Sequence, residues 1–268
     1  MKAKNARIVC CINQKGGVAK STTAEALADG LTLRGHRTLL IDLDPQGSVS
    51  MTSGAIPNRQ TAYEVITKQC TAHEATQHRA HNDAQHVRRA DLIPASDQLV
   101  KIDIEVTGVG KEHRLKEQLI SILTLYSYIV IDTPPALGLL TVNALTASDL
   151  VIVPCQADVY SMQGIVQLAN TIEAVKEYTN PNLSLAGVLL TRHNSRSILS
   201  RDMSETASMT AAKIGTFLYK CVIREAVVIK EAQAHRQSVY EYAPRSNAAH
   251  DYEAFVDEFL EKEAMANA

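Results

Sequence analysis

A short glycine- and lysine-rich segment near the start of the chain constrains the fold more than any other feature. The apolar run Ile8 to Ile12 leads into residues 13–22, which read NQKGGVAKST. Apolar side chains then recur at helical spacing, and Gly35 stands where such a helix would end. A strand, a glycine-rich loop and a helix in this order make up the phosphate-binding loop of many α/β proteins. The segment therefore predicts that the chain binds a nucleoside triphosphate.

The residue types in this loop suit the binding of phosphate groups. Gly16 and Gly17 let backbone amides close on phosphate oxygens without a Cβ in the way, and the N-terminus of the following helix adds a partial positive charge. Lys20 supplies a full charge, and the Ser21 hydroxyl stands where Mg²⁺ would bind. We expect the nucleotide to be held by the loop and the first helical residues, namely Lys15, Gly16, Gly17, Val18, Ala19, Lys20, Ser21 and Thr22.

The loop departs from the general pattern G-x-x-x-x-G-K-[ST] at both of its glycines. Gln14 replaces the first and Ala19 replaces the second. We expect the methyl group of Ala19 to be tolerated because the first turn of the helix begins there. The pattern present instead is K-G-G-x-x-K-[ST], with a second lysine, Lys15, at the entrance of the loop.

Aspartates at the ends of predicted strands are the expected partners of this loop. Asp42 and Asp44 follow the second apolar run at an i, i+2 spacing, which directs both side chains the same way on an extended chain. Asp132 comes directly after four largely apolar strand residues, as a carboxylate that holds Mg²⁺ often does. In open α/β sheets, ligands bind where the strands end. We therefore expect these carboxylates to lie near the loop.

The rest of the chain predicts one α/β domain over residues 1–268. Hydrophobic residues make up 46% and charged residues 21% of the chain, and no linker-like or repeated segment interrupts it. Apolar runs alternate with helical patterns, which predicts a mostly parallel sheet with helices on both faces, as in P-loop NTPases. The predicted strands are Arg7 to Ile12, Thr38 to Ile41, Asp91 to Ile93, Tyr128 to Ile131, Leu150 to Val153 and Leu185 to Leu190.

Hydropathy and charge do not indicate a membrane protein. The longest apolar runs are too short to cross a bilayer, and the N-terminus leads into a strand rather than a signal-peptide core, which predicts a cytoplasmic protein. The last helical pattern is amphipathic, but its polar positions are acidic. Because a helix that binds anionic lipid needs basic residues there, we expect this helix to pack on the domain through Tyr252, Phe255, Val256 and Phe259.

The cysteines and a histidine-rich stretch give weaker signals. Five cysteines are scattered without a C-x-x-C spacing, and we interpret them as reduced structural thiols, with Cys10 and Cys11 in the core. Four histidines lie in a polar stretch at spacings that match no standard metal site. We therefore expect a solvated surface for His73, His78, His81 and His86.

The two-lysine loop resembles the deviant Walker A motif of the ParA/MinD family of P-loop ATPases. The segments I-D-L-D-P-Q at 41–46 and I-D-T-P-P at 131–135 follow in the family's order, and the resemblance extends from about Arg7 to the final helix. It implies an Mg²⁺-dependent ATPase in which Lys15 reaches across a dimer to the nucleotide of the other subunit. Lys20 then takes the ordinary phosphate-binding role, Asp44 positions the attacking water, and Asp42 lies close to Mg²⁺ with Ser21 and Asp132.

The resemblance also implies a division of function within the family. ATP holds a sandwich homodimer together, and slow hydrolysis releases it. ParA proteins bind nonspecific DNA and are stimulated by a ParB-type partner, whereas MinD-type proteins bind membrane through a basic C-terminal helix. The acidic terminal helix favours a ParA-type partitioning protein on the nucleoid, with a MinD-like positioning ATPase as the alternative. A third possibility is a cluster-carrying or amide-forming enzyme on the same fold.

The DNA-facing residues are less well defined than the nucleotide site. With a formal net charge of −2, affinity for DNA has to come from a local basic patch. The resemblance points to Arg196, but Val228 stands where the family usually has a DNA-contacting arginine. Lys220, Arg224 and Lys230 could rebuild the patch, since phosphate contacts tolerate changes of position. The first strand begins about seven residues into the chain, so we expect no helix-turn-helix extension before it.

Overall fold

A seven-stranded sheet, parallel throughout, organises the chain. The computed structural model describes residues 5–79, 88–194 and 198–266. The strands lie in the order β3-β2-β4-β1-β5-β6-β7, and every neighbouring pair is parallel. Their bounds are β1 Arg7–Cys11, β2 Thr38–Asp42, β3 Asp91–Ile93, β4 Tyr128–Asp132, β5 Leu150–Cys155, β6 Ser184–His193 and β7 Leu218–Arg224.

Helices cover both faces of this sheet, which confirms the predicted fold class. One core cluster lies between the sheet and α3, α7, α8 and α9, and the other lies between the sheet and α1, α11 and α12. The helices of the described residues are α1 Lys20–Leu33, α2 Ser48–Thr52, α3 Ala62–Ile66, α4 Ala72–Ala75, α5 Ile102–Glu105, α6 Arg114–Leu119, α7 Leu139–Ala147, α8 Val159–Tyr178, α9 Ile198–Lys213, α10 Val227–Ala234, α11 Val239–Tyr242 and α12 Asn247–Ala266.

All six predicted strands are present, and a seventh, β7, was missing from the prediction. Buried parallel strands are near-continuous apolar runs, and this signal is clear in β1, β2, β4 and β5. β7 is an edge strand whose exposed Lys220 and Arg224 interrupt the apolar pattern. Its backbone edge is covered by α12, because the amides of Lys220 and Arg224 donate to the carboxylates of Glu258 and Asp251 at 3.0 Å.

The terminal helix α12 packs on the domain as predicted. Its apolar stripe is buried against the sheet and α1, and Gly30 of α1 marks the closest approach. A Cβ at Gly30 would lie 2.7 Å from Cγ2 of Val256 and 2.9 Å from Oη of Tyr240, so that only glycine allows the helices to pack this closely. Acidic residues of α12 bind neighbouring elements, since Glu263 pairs with Arg7 and Asp257 with Arg34.

The cysteines are free thiols, as expected, and Cys10 and Cys11 are fully buried in the core. Cys155 is also fully buried, which leaves it unable to bridge two subunits as a cluster ligand. His81 and His86 lie outside the described residues. Within residues 5–79, 88–194 and 198–266, no group of three or more His, Cys, Asp or Glu side chains is arranged to hold a metal ion.

Candidate nucleotide-binding site

The phosphate loop, residues 13–19, connects the central strand β1 to the N-terminus of α1. The buried Asn13 begins the loop, and its side chain accepts a hydrogen bond from the Lys15 amide at 2.9 Å. The same side chain donates to the carbonyl of Pro154 at 2.8 Å, which ties the loop to β5. Because β1 lies between β4 and β5, the loop sits where the chain connections of the sheet reverse direction, the usual ligand site of such folds.

Ala19 adopts a left-handed backbone conformation, with φ 61° and ψ 32°, directly before α1. We expected Ala19 to be tolerated as the start of the first helical turn, and this reason was wrong. The residue lies outside the helix, in a region that glycine occupies without penalty and an L-residue occupies at a cost of about 1 kcal/mol. The general pattern therefore has its second glycine at this position because the backbone is left-handed there. Ala19 adopts the same backbone conformation at that energetic cost.

Lys20 and Asp132 form the charged centre of the site, and both are buried. Burial lowers the pKa of Lys20, against the opposing influence of Asp132 and Asp44. Burial and the nearby Asp42 raise the pKa of Asp132 well above its usual range, and Ser21 and Lys20 offset this only partly. Neither carboxylate oxygen of Asp132 has a hydrogen-bond partner among the described residues. An unsatisfied buried carboxylate of this kind fits a site for a cation.

Asp42 is fully buried, and its oxygens are already bonded to protein groups. One oxygen accepts from the Asp44 amide at 3.1 Å, and the other accepts from the amide and hydroxyl of Ser50 at 2.8 and 2.7 Å. Burial raises the pKa of Asp42 to about 6, although these hydrogen bonds act in the opposite direction. Asp42 thus fixes α2 and the backbone of Asp44 beside Asp132, with which it pairs in register across the β2 and β4 ladder.

Asp44 lies at the mouth of the site, with 9% of its surface exposed. Its carboxylate accepts a hydrogen bond from the Gln46 amide at 3.0 Å. Asp44 lines the same cleft as Lys20 and Ser21. The residues predicted to act on the nucleotide that line this one cleft are Gly16, Gly17, Ala19, Lys20, Ser21, Thr22 and Asp44.

The cleft has a volume of about 500 Å³. The phosphate loop and α1 form one side, α2 a second, and the end of β7 with α10 a third. Residues at the far side are partly apolar, whereas the loop and the start of α1 bring one charged group, Lys20, and the hydroxyls of Ser21 and Thr22. The Thr22 hydroxyl accepts a hydrogen bond from Gln233 at 3.2 Å. The lining residues used below are Gly16, Gly17, Ala19, Lys20, Ser21, Thr22, Asp44, Arg192, Arg224, Glu225 and Lys230.

Lys15 does not point into this cleft but binds within its own subunit. Its Nζ lies 2.6 Å from Oδ2 of Asp158, 3.3 Å from Gln156 and 3.4 Å from the hydroxyl of Ser161. Burial alone would raise the pKa of Asp158, but the hydrogen bonds from Lys15 and Ser161 hold it below its usual range. Asp158 also caps the N-terminus of α8 through the Ser161 amide.

The residues proposed to contact DNA are only partly brought together. Arg196 lies outside the described residues. Lys220 and Arg224 are exposed on β7 and face the acidic helix α12, where Arg224 makes a paired contact with Asp251 at 2.6 and 2.9 Å. Lys230 is exposed on α10 beside the cleft, and Val228 is half-buried against the core.

Sequence reasoning missed two parts of the site. It assigned no role to Arg192, whose guanidinium reaches the Gly17 carbonyl at 3.2 Å and Glu225 at 2.6 Å. It also gave no partner for Lys15 within the subunit. The resemblance pointed only to Arg196, four residues beyond Arg192, and contacts between distant strand ends are not readable from spacing.

Comparisons with known proteins place this chain in a family. Residues 6–185 match the AAA domain family. The chain is 38% identical over 265 residues to the sporulation initiation inhibitor protein Soj of Bacillus subtilis, covering 97% of this chain and 99% of Soj. It is 35% identical over 268 residues to the chromosome partitioning protein ParA of Caulobacter vibrioides, covering 98% of this chain and 97% of ParA.

A solved structure of similar shape contains a bound nucleotide. Cobyrinic acid a,c-diamide synthase from Mycobacterium smegmatis, with ADP and magnesium, matches with a TM-score of 0.81 and 31% identity over 97% of this chain and 96% of that one. The same protein has also been solved with an ATP analogue and magnesium. In the described part of the present chain, no helix is long and apolar enough to cross a membrane.

Proposed function

Because this chain belongs to the family of the chromosome partitioning proteins Soj and ParA, we propose that it is an ATP-dependent DNA partitioning protein. Its ATP-bound form is a sandwich dimer that binds nonspecific DNA on the nucleoid. Slow hydrolysis, stimulated by a ParB-type partner, releases the dimer from DNA. The observation that carries the proposal is that Lys20, Ser21 and Asp44 line one cleft, with the buried carboxyl of Asp132 close to all three.

The residues of the cleft fit ATP with Mg²⁺. Among the described residues, neither buried oxygen of Asp132 meets a hydrogen-bond partner, and the Ser21 hydroxyl is near enough to lower the pKa of this carboxyl. Mg²⁺ is commonly held by one or two carboxylates together with substrate phosphates. We therefore expect the protein to supply only a few ligands to the metal, and the nucleotide to supply the others. When bound, Mg²⁺ neutralises charge on the phosphates. Asp42 keeps Asp44 and α2 in place beside it through its own hydrogen bonds.

Hydrolysis then depends on how the attacking water is positioned and how the phosphate charge is neutralised, and not on a covalent bond to the protein. Lys20 brings a buried ammonium to the phosphates, and Asp44 orients the attacking water. The two arginines that line the cleft are both engaged, Arg192 with Gly17 and Glu225 and Arg224 with Asp251. Neither is free to neutralise charge in the transition state, which supports a weak intrinsic activity.

Dimer formation requires a rearrangement of Lys15. In the single subunit this lysine is paired with Asp158, and it can reach a neighbouring nucleotide only after that pair separates. The triphosphate of the other subunit, with its larger negative charge, competes with the single carboxylate. Two subunits therefore form the dimer only when both have bound ATP.

The structure favours DNA over membrane as the surface that the dimer binds. The apolar face of α12 is buried in the domain, and its acidic residues bind Arg7, Arg34 and Arg224. A MinD-like membrane function would need this helix to be basic and available. Lys230, exposed at the cleft, is the strongest described candidate for a phosphate contact.

The proposal is tested with protein trapped in the ATP state. Asp44→Ala should bind ATP with Mg²⁺ without turning it over, and filter retention of a random-sequence DNA duplex should exceed that of the ADP form at low salt. Retention should fall steeply as salt rises, because phosphate contacts release counterions. Lys20→Ala, which loses the buried ammonium, is the control that should retain no more DNA with ATP than with ADP.

Three results would contradict the proposal. Equal DNA retention of the Asp44→Ala variant with ATP and ADP would remove the partitioning function. Sedimentation of the same variant with anionic vesicles in ATP, without DNA retention, would favour the MinD-like alternative. ATP consumption that requires an amide donor and a carboxylate acceptor would instead place the chain with the synthases of this fold.

A further inference from the structure

Two neighbouring side chains at the end of β6 bind two neighbouring carbonyls of the phosphate loop. The Thr191 hydroxyl lies 3.0 Å from the Val18 carbonyl, and Nη1 of Arg192 lies 3.2 Å from the Gly17 carbonyl. Thr191 is fully buried, and its hydroxyl also lies 3.0 Å from the carbonyl of Cys155 on β5. The end of β6 therefore sets the orientation of two consecutive peptide groups in the loop.

This orientation decides where the amides of the loop point. In a trans peptide the C=O and the next N–H lie in one plane and point in opposite directions. If the Gly17 and Val18 carbonyls face β6, the amides of Val18 and Ala19 face away from it. Backbone amides that are aimed in advance bind an anion without first having to reorient.

Arg192 makes its contact from a strained backbone. Its φ is 50°, a left-handed conformation that an arginine adopts at a cost of about 1 kcal/mol. The side chain is held on its other side by Glu225, whose Oε1 lies 2.6 Å from Nη2 and 3.3 Å from Nε. The side chain of Arg192 is 42% exposed and that of Glu225 55%, so the ion pair alone contributes little stability. Strain of this kind at the edge of a ligand site is often linked to function.

We propose that Arg192 is a positioning residue for the nucleotide, which it serves by holding the Gly17 carbonyl towards β6. Glu225 fixes the guanidinium in place, and Thr191 does the same for the Val18 carbonyl. This inference rests on the proposed nucleotide site, but no motif of that site contains Arg192. The loop carries Ala19 where glycine is usual, and a fixed orientation of the neighbouring peptides limits how far this loop can relax.

The test separates backbone strain from the guanidinium contact. Arg192→Gly removes the strain together with the contact, and Arg192→Asn keeps a residue that tolerates the left-handed region. Both variants should melt at or above the wild-type temperature and yet bind ADP with Mg²⁺ about tenfold more weakly in calorimetric titration, since one charge-assisted hydrogen bond is lost. ADP is used so that dimerisation does not contribute to the measured affinity.

Further variants give the test its controls. Arg192→Lys keeps a donor for the Gly17 carbonyl and should recover part of the affinity, while Glu225→Gln should show a smaller loss than Arg192→Gly. Arg245→Gln, an exposed arginine away from the loop, should bind ADP as the wild type does. In steady-state ATP turnover, Arg192→Gly should raise KM more than it lowers kcat.

The possible failures are distinguishable. Wild-type protein that binds no ADP with Mg²⁺ would overturn the proposed nucleotide site itself. If the wild type binds ADP with Mg²⁺ and both Arg192→Gly and Arg192→Asn bind it equally tightly, the role of Arg192 is overturned while the nucleotide site stands. An affinity loss that accompanies a lower melting temperature in both variants, and that Arg192→Lys does not recover, would assign Arg192 a purely structural role and overturn the inference as well.

Discussion

The Nζ atom of Lys15 lies 2.6 Å from Oδ2 of Asp158 within the same subunit. The lysine expected to act across a dimer is thus bound by a carboxylate at the end of β5, in the loop that leads into α8. Since Asp158 also caps α8 through the Ser161 amide at 2.9 Å, the pair lies at a junction of strand, phosphate loop and helix. Lys15 is therefore engaged by Asp158 in this structure, and the proposed dimer requires this pair to separate.

Removing the carboxylate of Asp158 should favour the proposed dimer. In an Asp44→Ala background, which prevents turnover, Asp158→Asn should raise the fraction of ATP-bound dimer severalfold at a fixed protein concentration, because Lys15 no longer has to leave a charged partner. Sedimentation velocity with ATP and Mg²⁺ measures the fraction. Glu173→Gln, which removes the carboxylate that pairs with Lys176 elsewhere on α8, is the matched control and should change nothing. A dimer fraction unchanged or lowered by Asp158→Asn would show that the pair does not oppose association.

Ala19→Gly should stabilise the protein without weakening nucleotide binding. Glycine occupies the left-handed backbone at position 19 without penalty, and its greater freedom in the unfolded chain offsets part of the gain, which leaves roughly 0.5 kcal/mol. Chemical denaturation measures the free energy of unfolding. Ala24→Gly, inside α1, should destabilise by at least about 1 kcal/mol, because it weakens the helix and leaves a buried gap. A loss of stability in Ala19→Gly would contradict the strain assigned to Ala19.

Substitutions at two glycines should distinguish a residue needed for stability from a residue needed for nucleotide binding. Gly30→Ala should destabilise the protein by about 1–3 kcal/mol, because its methyl group would overlap Val256 and Tyr240. Gly16→Ala should leave the melting temperature nearly unchanged, since a Cβ there meets no atom within 4 Å. We expect Gly16→Ala instead to weaken ADP binding, because the methyl group would occupy space needed by the phosphates. Unchanged ADP affinity in Gly16→Ala would argue against close contact between the loop and the phosphates.

Asp132→Asn should stabilise the nucleotide-free protein while removing its response to Mg²⁺. The Asp132 carboxyl is buried without a hydrogen-bond partner among the described residues, and burial and the nearby Asp42 disfavour its charged form, which raises its pKa. A neutral amide of similar shape should raise the free energy of unfolding by about 1 kcal/mol or more. Thermal melting with and without Mg²⁺ and ADP measures both effects. A variant less stable than the wild type without nucleotide would show that Lys20 already compensates the charge of Asp132.

Among the described basic residues, Lys230 should contribute more to DNA binding than Arg224. Lys230 is exposed beside the cleft, whereas Arg224 is already paired with Asp251. Lys230→Gln in the ATP-trapped protein should weaken binding to all DNA sequences alike and reduce the slope of log affinity against log salt by about 1. Arg224→Gln should change that slope less. A larger effect of Arg224→Gln would mean that the contact with Asp251 is given up when DNA binds.

The parts of the proposed nucleotide site were readable from the sequence because each part is local. Lys15 to Thr22 form one continuous loop and helix start, Asp42 and Asp132 each end an apolar strand, and Asp44 follows Asp42 by two residues. Strand ends in a parallel sheet meet at one edge, so the assembly of these motifs follows from the fold class. The one error at the loop, the reason given for Ala19, concerned a φ angle. The general pattern already indicated this left-handed φ angle, since a position that requires glycine often has a left-handed backbone.

The amino-acid sequence by itself determined the fold class and six of the seven strands, and its motifs predicted the residues proposed to bind the nucleotide. These features depend on apolar periodicity and on short motifs, which act over a few residues. Only the tertiary structure decided that Lys15 is bound to Asp158, that Arg192 holds the Gly17 carbonyl and that the carboxylates of α12 cover β7. Each of these contacts joins residues more than 25 positions apart in the chain. Their geometry is set by how strands and helices pack, and no spacing along the chain encodes it.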